Sequence, residues 1–246
     1  MTATPETLLE NIDEAPQQND ETTLGNSWLL GFDTETTGTS SQDAIVSASL
    51  VLRNPASGYE GDSISEWVIN PHRPMNPAAG AVNGFTDEYL EAHGSEPQDA
   101  LTQIAEAVRQ AQAKNIPLLA YNAPFDVRML RTDMEHWNLE PLPKALLTVD
   151  PLVIDRAVSK RSGKRNLAMT TAYYGVPPHG DFHDATADTV AAVDLIKPMT
   201  VLYPQVGALR LAELMTWQRQ AYTSWRNSFN DWLASKGRRV IRDTWL

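Results

Sequence analysis

The chain has 246 residues, of which 42% are hydrophobic and 21% charged, with a formal net charge of −11. This length and composition suit one domain, or one domain with an appendage, around a sizeable core, and exclude wholesale disorder. The absence of cysteine excludes disulfide scaffolds, zinc–thiolate sites and cysteine nucleophiles, and no apolar run reaches the roughly 18 residues that a membrane span needs.

Residues 1–26 are polar and acidic without a sustained period, and are expected to form a disordered tail. They show neither a basic start nor an apolar centre, so no secretory signal is expected and the expected location is cytoplasmic. A first buried strand is expected at Trp28–Asp33, a second at Ala44–Leu52 and a third at Ile64–Asn70, closed by Pro71. Short turn-rich stretches separate the three, so they should pair antiparallel. A helix near Pro97–Lys114, a strand near Ile116–Tyr121, a helix near Pro124–Trp137 and a strand at Ala145–Asp150 follow. Further helices are expected near Asn166–Tyr174, Asp184–Leu202 and Leu209–Ser235. Three strands followed by alternating helices and strands imply an α/β fold, a mixed sheet with helices on both faces. The expected organisation is a tail over 1–26, a main folded domain over 27–204 and a helical extension over 205–246.

The charge is unevenly spread. Residues 1–27 hold six acids and no Lys or Arg, leaving 25 acids against 20 bases in the remainder. Arg156–Arg165 has five bases and no acid, and Arg219–Leu246 has six bases against Asp231 and Asp243. Such stretches offer seats for phosphate, so the net charge does not exclude a nucleic-acid partner.

Three acidic features carry the chemistry. Asp33 and Glu35 at the end of the first strand are two residues apart, hence on one face and about 7 Å apart in Cα. Two such carboxylates repel and resist desolvation unless a cation lies between them, and an oxygen-preferring divalent ion such as Mg²⁺ is the economical answer. The alternative is a strand end running into a solvated loop. Asp126 lies at the end of the apolar stripe Leu130, Asp133/Met134, Trp137. A favourable place for an acid in a first helical turn would explain it equally well. Asp188 shares a helical face with Ala192, Leu195 and Met199, and His183 stands just before that helix, where a loop imidazole could act as a base or be merely structural. Jointly, four inward-aimed carboxylates and one histidine are the equipment of two-metal phosphodiester hydrolysis.

Asp33-x-Glu35, Asp126 within Asn122-Ala123-Pro124-Phe125-Asp126, and His183 with Asp188 five residues on resemble the three motifs of the DnaQ-like (DEDDh) 3′→5′ exonucleases. That family includes the proofreading epsilon subunit of bacterial DNA polymerase III. Val82–Glu88 and Arg165–Val176 fit two auxiliary stretches, so the resemblance spans about 29–199. The tyrosine subclass would place Tyr where Asp184 stands. The resemblance implies an RNase H-like fold and two Mg²⁺ or Mn²⁺ ions, with Asp33 bridging them and Glu35, Asp126 and Asp188 completing the ligand set. It further implies His183 as general base, Thr36 and Phe85 holding the 3′-terminal nucleotide, and Asn122 as a supporting polar contact. The implied activity is 3′→5′ hydrolysis of single-stranded or frayed DNA ends to nucleoside 5′-monophosphates, in proofreading or DNA repair and with a DNA polymerase subunit as a candidate partner. RNA trimming and a non-catalytic nucleic-acid-binding module are the alternatives. Tyr121 and Asn83 stand where the family often has His, which bears on the choice between DNA and RNA.

Two further features stay open at the sequence level. The Arg156–Arg165 cluster either grips a phosphate backbone or forms a solvated loop. The stripe Leu211, Leu214, Gln218, Ala221, Trp225, Phe229, Trp232 either covers the core or docks a partner. His179 is read as a solvent or phosphate contact.

Overall fold

A computed structural model describes residues 3–180 and 184–246. Five strands run in the spatial order β3-β2-β1-β4-β5. β1 (Leu29–Thr36), β2 (Ile45–Arg53) and β3 (Ser63–Val68) form an antiparallel meander. β4 (Leu118–Leu119) and β5 (Thr148–Val149) join the other edge of β1 in parallel. This is the mixed sheet the sequence implies. The last two strands are shorter than expected. Pro117 cannot donate to a ladder, and the chain turns at Asn122, whose φ is 68°.

Helices α1 (Pro5–Glu14), α4 (Pro97–Ala113) and α5 (Pro124–His136) contribute to one core on one face of the sheet, which also takes in Leu30, Phe32, Leu50 and Leu118. The other face, with Leu29, Leu119 and Val149, is covered by α6 (Pro151–Val158), α7 (Leu167–Tyr174), α8 (Ala185–Asp194) and α9 (Ile196–Leu202). Short α10 (Pro204–Gly207) and long α11 (Leu211–Ser235) complete that layer. Neighbours Leu29/Leu30 and Leu118/Leu119 thus feed opposite cores, as strand alternation requires. Two short helices, α2 (Pro77–Asn83) and α3 (Asp87–His93), follow β3. Among the described residues no helix is long and apolar enough to cross a membrane.

The expectation of a disordered tail over 1–26 is corrected here. Thr4 caps α1 by accepting from the Thr7 amide, and Pro5 occupies the first turn. Leu8 and Ile12, one helical turn apart, are fully buried in the first core, while Glu6, Glu10, Asp13 and Glu14 face solvent. Two apolar residues at i,i+4 suffice to dock the helix once the sheet supplies a surface. The single helix expected over 184–202 is broken at Leu195. Pro198 lacks the N–H that would reach back to Asp194, so α9 restarts with proline in its first turn.

Candidate active site

The site is built where β1, α5 and α8 meet. Gly31, Asp33 and Glu35 lie on one face of β1, opposite Val51, Ser49 and Ser47 of β2. A Cβ on Gly31 would stand 2.5 Å from Val193 Cγ2 and 2.8 Å from Thr189 Cγ2, so only glycine lets α8 press this closely on the strand. That close approach brings the first turn of α8 over the strand end. Asp184 caps the helix, accepting from the Ala187 amide at 2.8 Å. Ser47 and Ser49 leave room beside the two carboxylates.

Asp33, Glu35 and Asp188 each present a carboxylate oxygen, and these oxygens lie within 4.8 Å of one another. Asp126 reaches the same region from α5. It is 3% exposed, and its Oδ1 accepts the Thr34 hydroxyl at 2.8 Å. The four acids act on each other electrostatically. Burial first, and then the charges of Asp126, Asp188, Glu35 and Asp184, push the Asp33 carboxyl well above the usual carboxylate range. Burial followed by the Asp188 charge raises Glu35 to about 7, partly offset by a hydrogen bond from Asn83. Burial raises Asp126 to about 7 against the bond from Thr34. Mutual repulsion of this kind in a cluster made only of oxygen donors fits a hard divalent cation, which would return all of these groups to their charged form.

The other expected site residues fare differently. His183 lies outside the described residues. Thr36 is buried. Its hydroxyl donates to the Gly38 carbonyl at 2.6 Å and its own carbonyl accepts from Nδ2 of Asn83, at the end of α2, at 3.2 Å, so both groups are engaged within the protein. Thr36 lines a cavity of about 330 Å³ together with Glu35, Val82, Asn83 and Phe125. Phe85 lines a separate cavity of about 590 Å³ with Tyr59, His179 and Asp184. The sequence reading paired Thr36 with Phe85, whereas the ring beside Thr36 is that of Phe125. Its signal was its place between Pro124 and Asp126. Asn122 is engaged through its backbone, whose N–H donates to Asp150 Oδ1 at 3.1 Å.

The basic cluster is largely spent inside the protein. Arg161 and Arg165 both pair with the buried Asp155. Burial opposes the charge on Asp155, but the two guanidinium groups outweigh it and hold the carboxyl below its ordinary value. The Arg156 guanidinium lies 3.6 Å from the centre of the Trp225 ring. Lys160 and Lys164 alone of the five bases are exposed. His179 bonds Asp194 at 2.6 Å and packs on Tyr59, with ring centres 4.3 Å apart. Tyr121 gives its hydroxyl to the Arg165 carbonyl at 2.7 Å, a structural role. Of the α11 stripe, Leu211, Leu214 and Gln218 are buried and Trp232 is exposed.

A family model described as Exonuclease (RNase T) matches residues 30–196. A DNA polymerase III subunit epsilon-like protein of Rhodobacter capsulatus is 28% identical over 187 residues, covering 71% of this chain and 24% of the relative. A PolC-type DNA polymerase III of Streptococcus pneumoniae is 26% identical over 158 residues, covering 63% of this chain and 10% of the relative. The chain therefore spans between about a tenth and a quarter of these curated relatives. Among solved structures, E. coli exonuclease I in complex with a dT13 oligonucleotide superposes with a TM-score of 0.60 at 20% identity, covering 73% of this chain and 42% of the other. Exonuclease X in complex with 5′ overhanging duplex DNA superposes with a TM-score of 0.53 at 19% identity, covering 76% and 98%. These likenesses show a shared RNase H-like fold.

Proposed function

The chain belongs to the exonuclease family, and we propose that it hydrolyses single-stranded or frayed DNA from the 3′ end, releasing nucleoside 5′-monophosphates. The observation that carries this reading is the convergence of Asp33, Glu35 and Asp188 within 4.8 Å, with Asp126 beside them. DNA is favoured as substrate because the relatives are named for DNA polymerase III or its epsilon subunit and the structural neighbours were solved in complex with DNA. The names of those relatives also motivate a DNA polymerase as partner, and proofreading or repair as the setting.

Asp33, Glu35, Asp126 and Asp188 would hold two Mg²⁺ or Mn²⁺ ions, which supply positive charge against the phosphodiester and acidify the attacking water. The chain's own groups do the rest. Ionised, the four carboxylates bind; the burial of Asp126 and Asp188 strengthens the charge interactions there. His183, next in sequence to the α8 cap, takes the proton from the attacking water. The cavity bordered by Thr36, Val82 and Phe125 orients the terminal nucleotide so that its phosphate meets the carboxylates.

Incubation of a 5′-labelled single strand, as DNA and as RNA of the same sequence, with Mg²⁺ or chelator tests this. The expected result is a descending ladder from the DNA that requires Mg²⁺. Immediate release of a labelled mononucleotide would reverse the polarity, a cut in circular DNA would mean an endonuclease, and preference for the RNA would overturn the substrate assignment.

A further inference from the structure

The residues that follow the family-matched region reach back to the turn that delivers Asp126. Asp150 follows β5, caps α6 and is 1% exposed. Its Oδ1 accepts from the Leu152 amide at 3.0 Å and the Asn122 amide at 3.1 Å. Its Oδ2 accepts from the Ala123 amide at 3.2 Å and from the Trp245 indole Nε1 at 3.0 Å. One buried carboxylate thus joins the α6 cap, the turn before α5 and the last residues described.

The Asn122–Ala123 turn needs such a clamp. Asn122 sits in the left-handed region at φ 68°, a conformation that carries a cost for a non-glycine residue. Three residues on, Phe125 N–H donates to the Asn122 carbonyl at 2.9 Å, and Val127 N–H donates to the Ala123 carbonyl at 3.1 Å. The first turn of α5, with Asp126 in it, is therefore hung from the carbonyls of the same two residues whose N–H groups Asp150 holds.

Trp245 is itself held in place, 4% exposed. Asn230 of α11 exchanges two hydrogen bonds of 2.8 Å with the Ile241 backbone. Arg226 donates to the Asp243 carbonyl at 2.9 Å, and Arg219 to the Leu246 carbonyl at 2.8 Å. Gln218, fully buried on the same helix, accepts from the Asp150 amide at 2.8 Å and donates to the Thr148 carbonyl at 2.7 Å. The helix and the segment after it approach Asp150 from two sides.

We propose that Trp245 is a positioning residue for Asp126: its indole N–H completes the shell of Asp150, which locks the Asn122–Ala123 turn and fixes where α5 presents its carboxylate. This rests on the exonuclease reading for its kinetic consequence, but the structural consequence does not. Without the indole donor, one oxygen of a buried carboxylate loses a partner, and the turn it holds is freed to move. Direct hydrogen-bond partners of a metal ligand typically matter by about 10–100-fold in affinity or activity, and Trp245, which acts through Asp150 and the turn, is expected at the low end of that range.

The test is Trp245→Phe, which keeps an aromatic ring and removes the donor, set against Leu8→Ala, a cavity variant on α1, which packs on α4 and β3. Amide hydrogen exchange in the metal-free protein should show Asn122 and Ala123 losing protection by tenfold or more in Trp245→Phe, and keeping it in Leu8→Ala once the global loss of stability is subtracted. Mg²⁺ titration by calorimetry should show roughly tenfold weaker binding in Trp245→Phe alone. Turnover of single-stranded DNA should fall by a similar factor at unchanged KM. If exchange at both amides, Mg²⁺ affinity and kcat are all as in Leu8→Ala at matched stability, Trp245 merely packs and the inference falls. A protein without exonuclease activity whose Trp245→Phe variant still loosens the two amides would overturn the proposed function and leave the clamp standing.

Discussion

Replacing Glu35 with glutamine should raise stability and abolish turnover, and the two effects should have opposite signs for one reason. In the folded, metal-free protein Glu35 titrates at about 7 rather than the ordinary 4.5, because burial and the Asp188 charge disfavour its ionised form. A folded value above the unfolded one means that the unfolded chain binds fewer protons across that window. Stability is therefore lost as pH rises from about 4.5 to 7, and the full cost is present above it. The separation between 4.5 and about 7 corresponds to about 3 kcal/mol. Glu35 keeps part of its surface in water, which brings the expected figure to about 2 kcal/mol. Glutamine has nearly the same shape, can still accept from Asn83 and does not titrate. Urea unfolding in chelator should show the variant little changed relative to wild type at pH 4.5 and about 2 kcal/mol more stable at pH 8. Added Mg²⁺ should stabilise the wild type more than the variant, since ligation converts the repulsion into binding. Turnover with Mg²⁺ should drop by about 10³-fold or more. A variant no more stable than wild type at pH 8 in chelator would refute the account of the cluster, and retained turnover would refute its role.

His183→Ala should lower turnover by roughly 10²–10⁴-fold while calorimetry shows Mg²⁺ affinity within a few-fold of wild type; a loss of affinity as severe as that of Asp33→Asn would make His183 a ligand instead. Phe125→Ala should raise KM for a single strand more than Phe85→Ala does, with each base contact worth about 1–3 kcal/mol, because Phe125 and not Phe85 shares the Thr36 cavity; the reverse order would restore Phe85 as the ring that meets the terminal base.

The clustering of the four carboxylates was legible because its signal is local. Asp33 and Glu35 declare a shared face through strand alternation, and Asp126 and Asp188 declare theirs through helical spacing against apolar neighbours. What escaped depends on partners distant in sequence. Leu8 and Ile12 sit among Glu6, Glu10, Asp13 and Glu14, so α1 reads as an acidic tail until the sheet is there to receive it. Arg161 and Arg165 read as a phosphate grip because nothing in their own stretch shows that Asp155 is buried beneath both. The break before α9 has a local cause in Pro198, which apolar periodicity alone does not register. Thr36 and Phe85 were paired by motif position, and only the path of α2 shows that Val82 and Asn83 border both cavities while Phe85 faces one of them. Asp150, Gln218 and Trp245 carry no motif at all, and their connection appears only once α11 lies against β5 and α6.

The central claim is that Asp33, Glu35, Asp126 and Asp188 form a divalent-metal site that works at a 3′ terminus. Anomalous diffraction from crystals grown with Mn²⁺ and a nucleoside 5′-monophosphate tests it most directly. The account predicts manganese peaks about 2 Å from carboxylate oxygens of Asp33, Glu35 and Asp188, a second ion sharing Asp33 and reaching Asp126, the nucleotide base in the cavity beside Thr36 and Phe125, and loss of both peaks in Asp33→Asn. Manganese bound elsewhere on the protein, or none at this cluster while the nucleotide is bound, would contradict it.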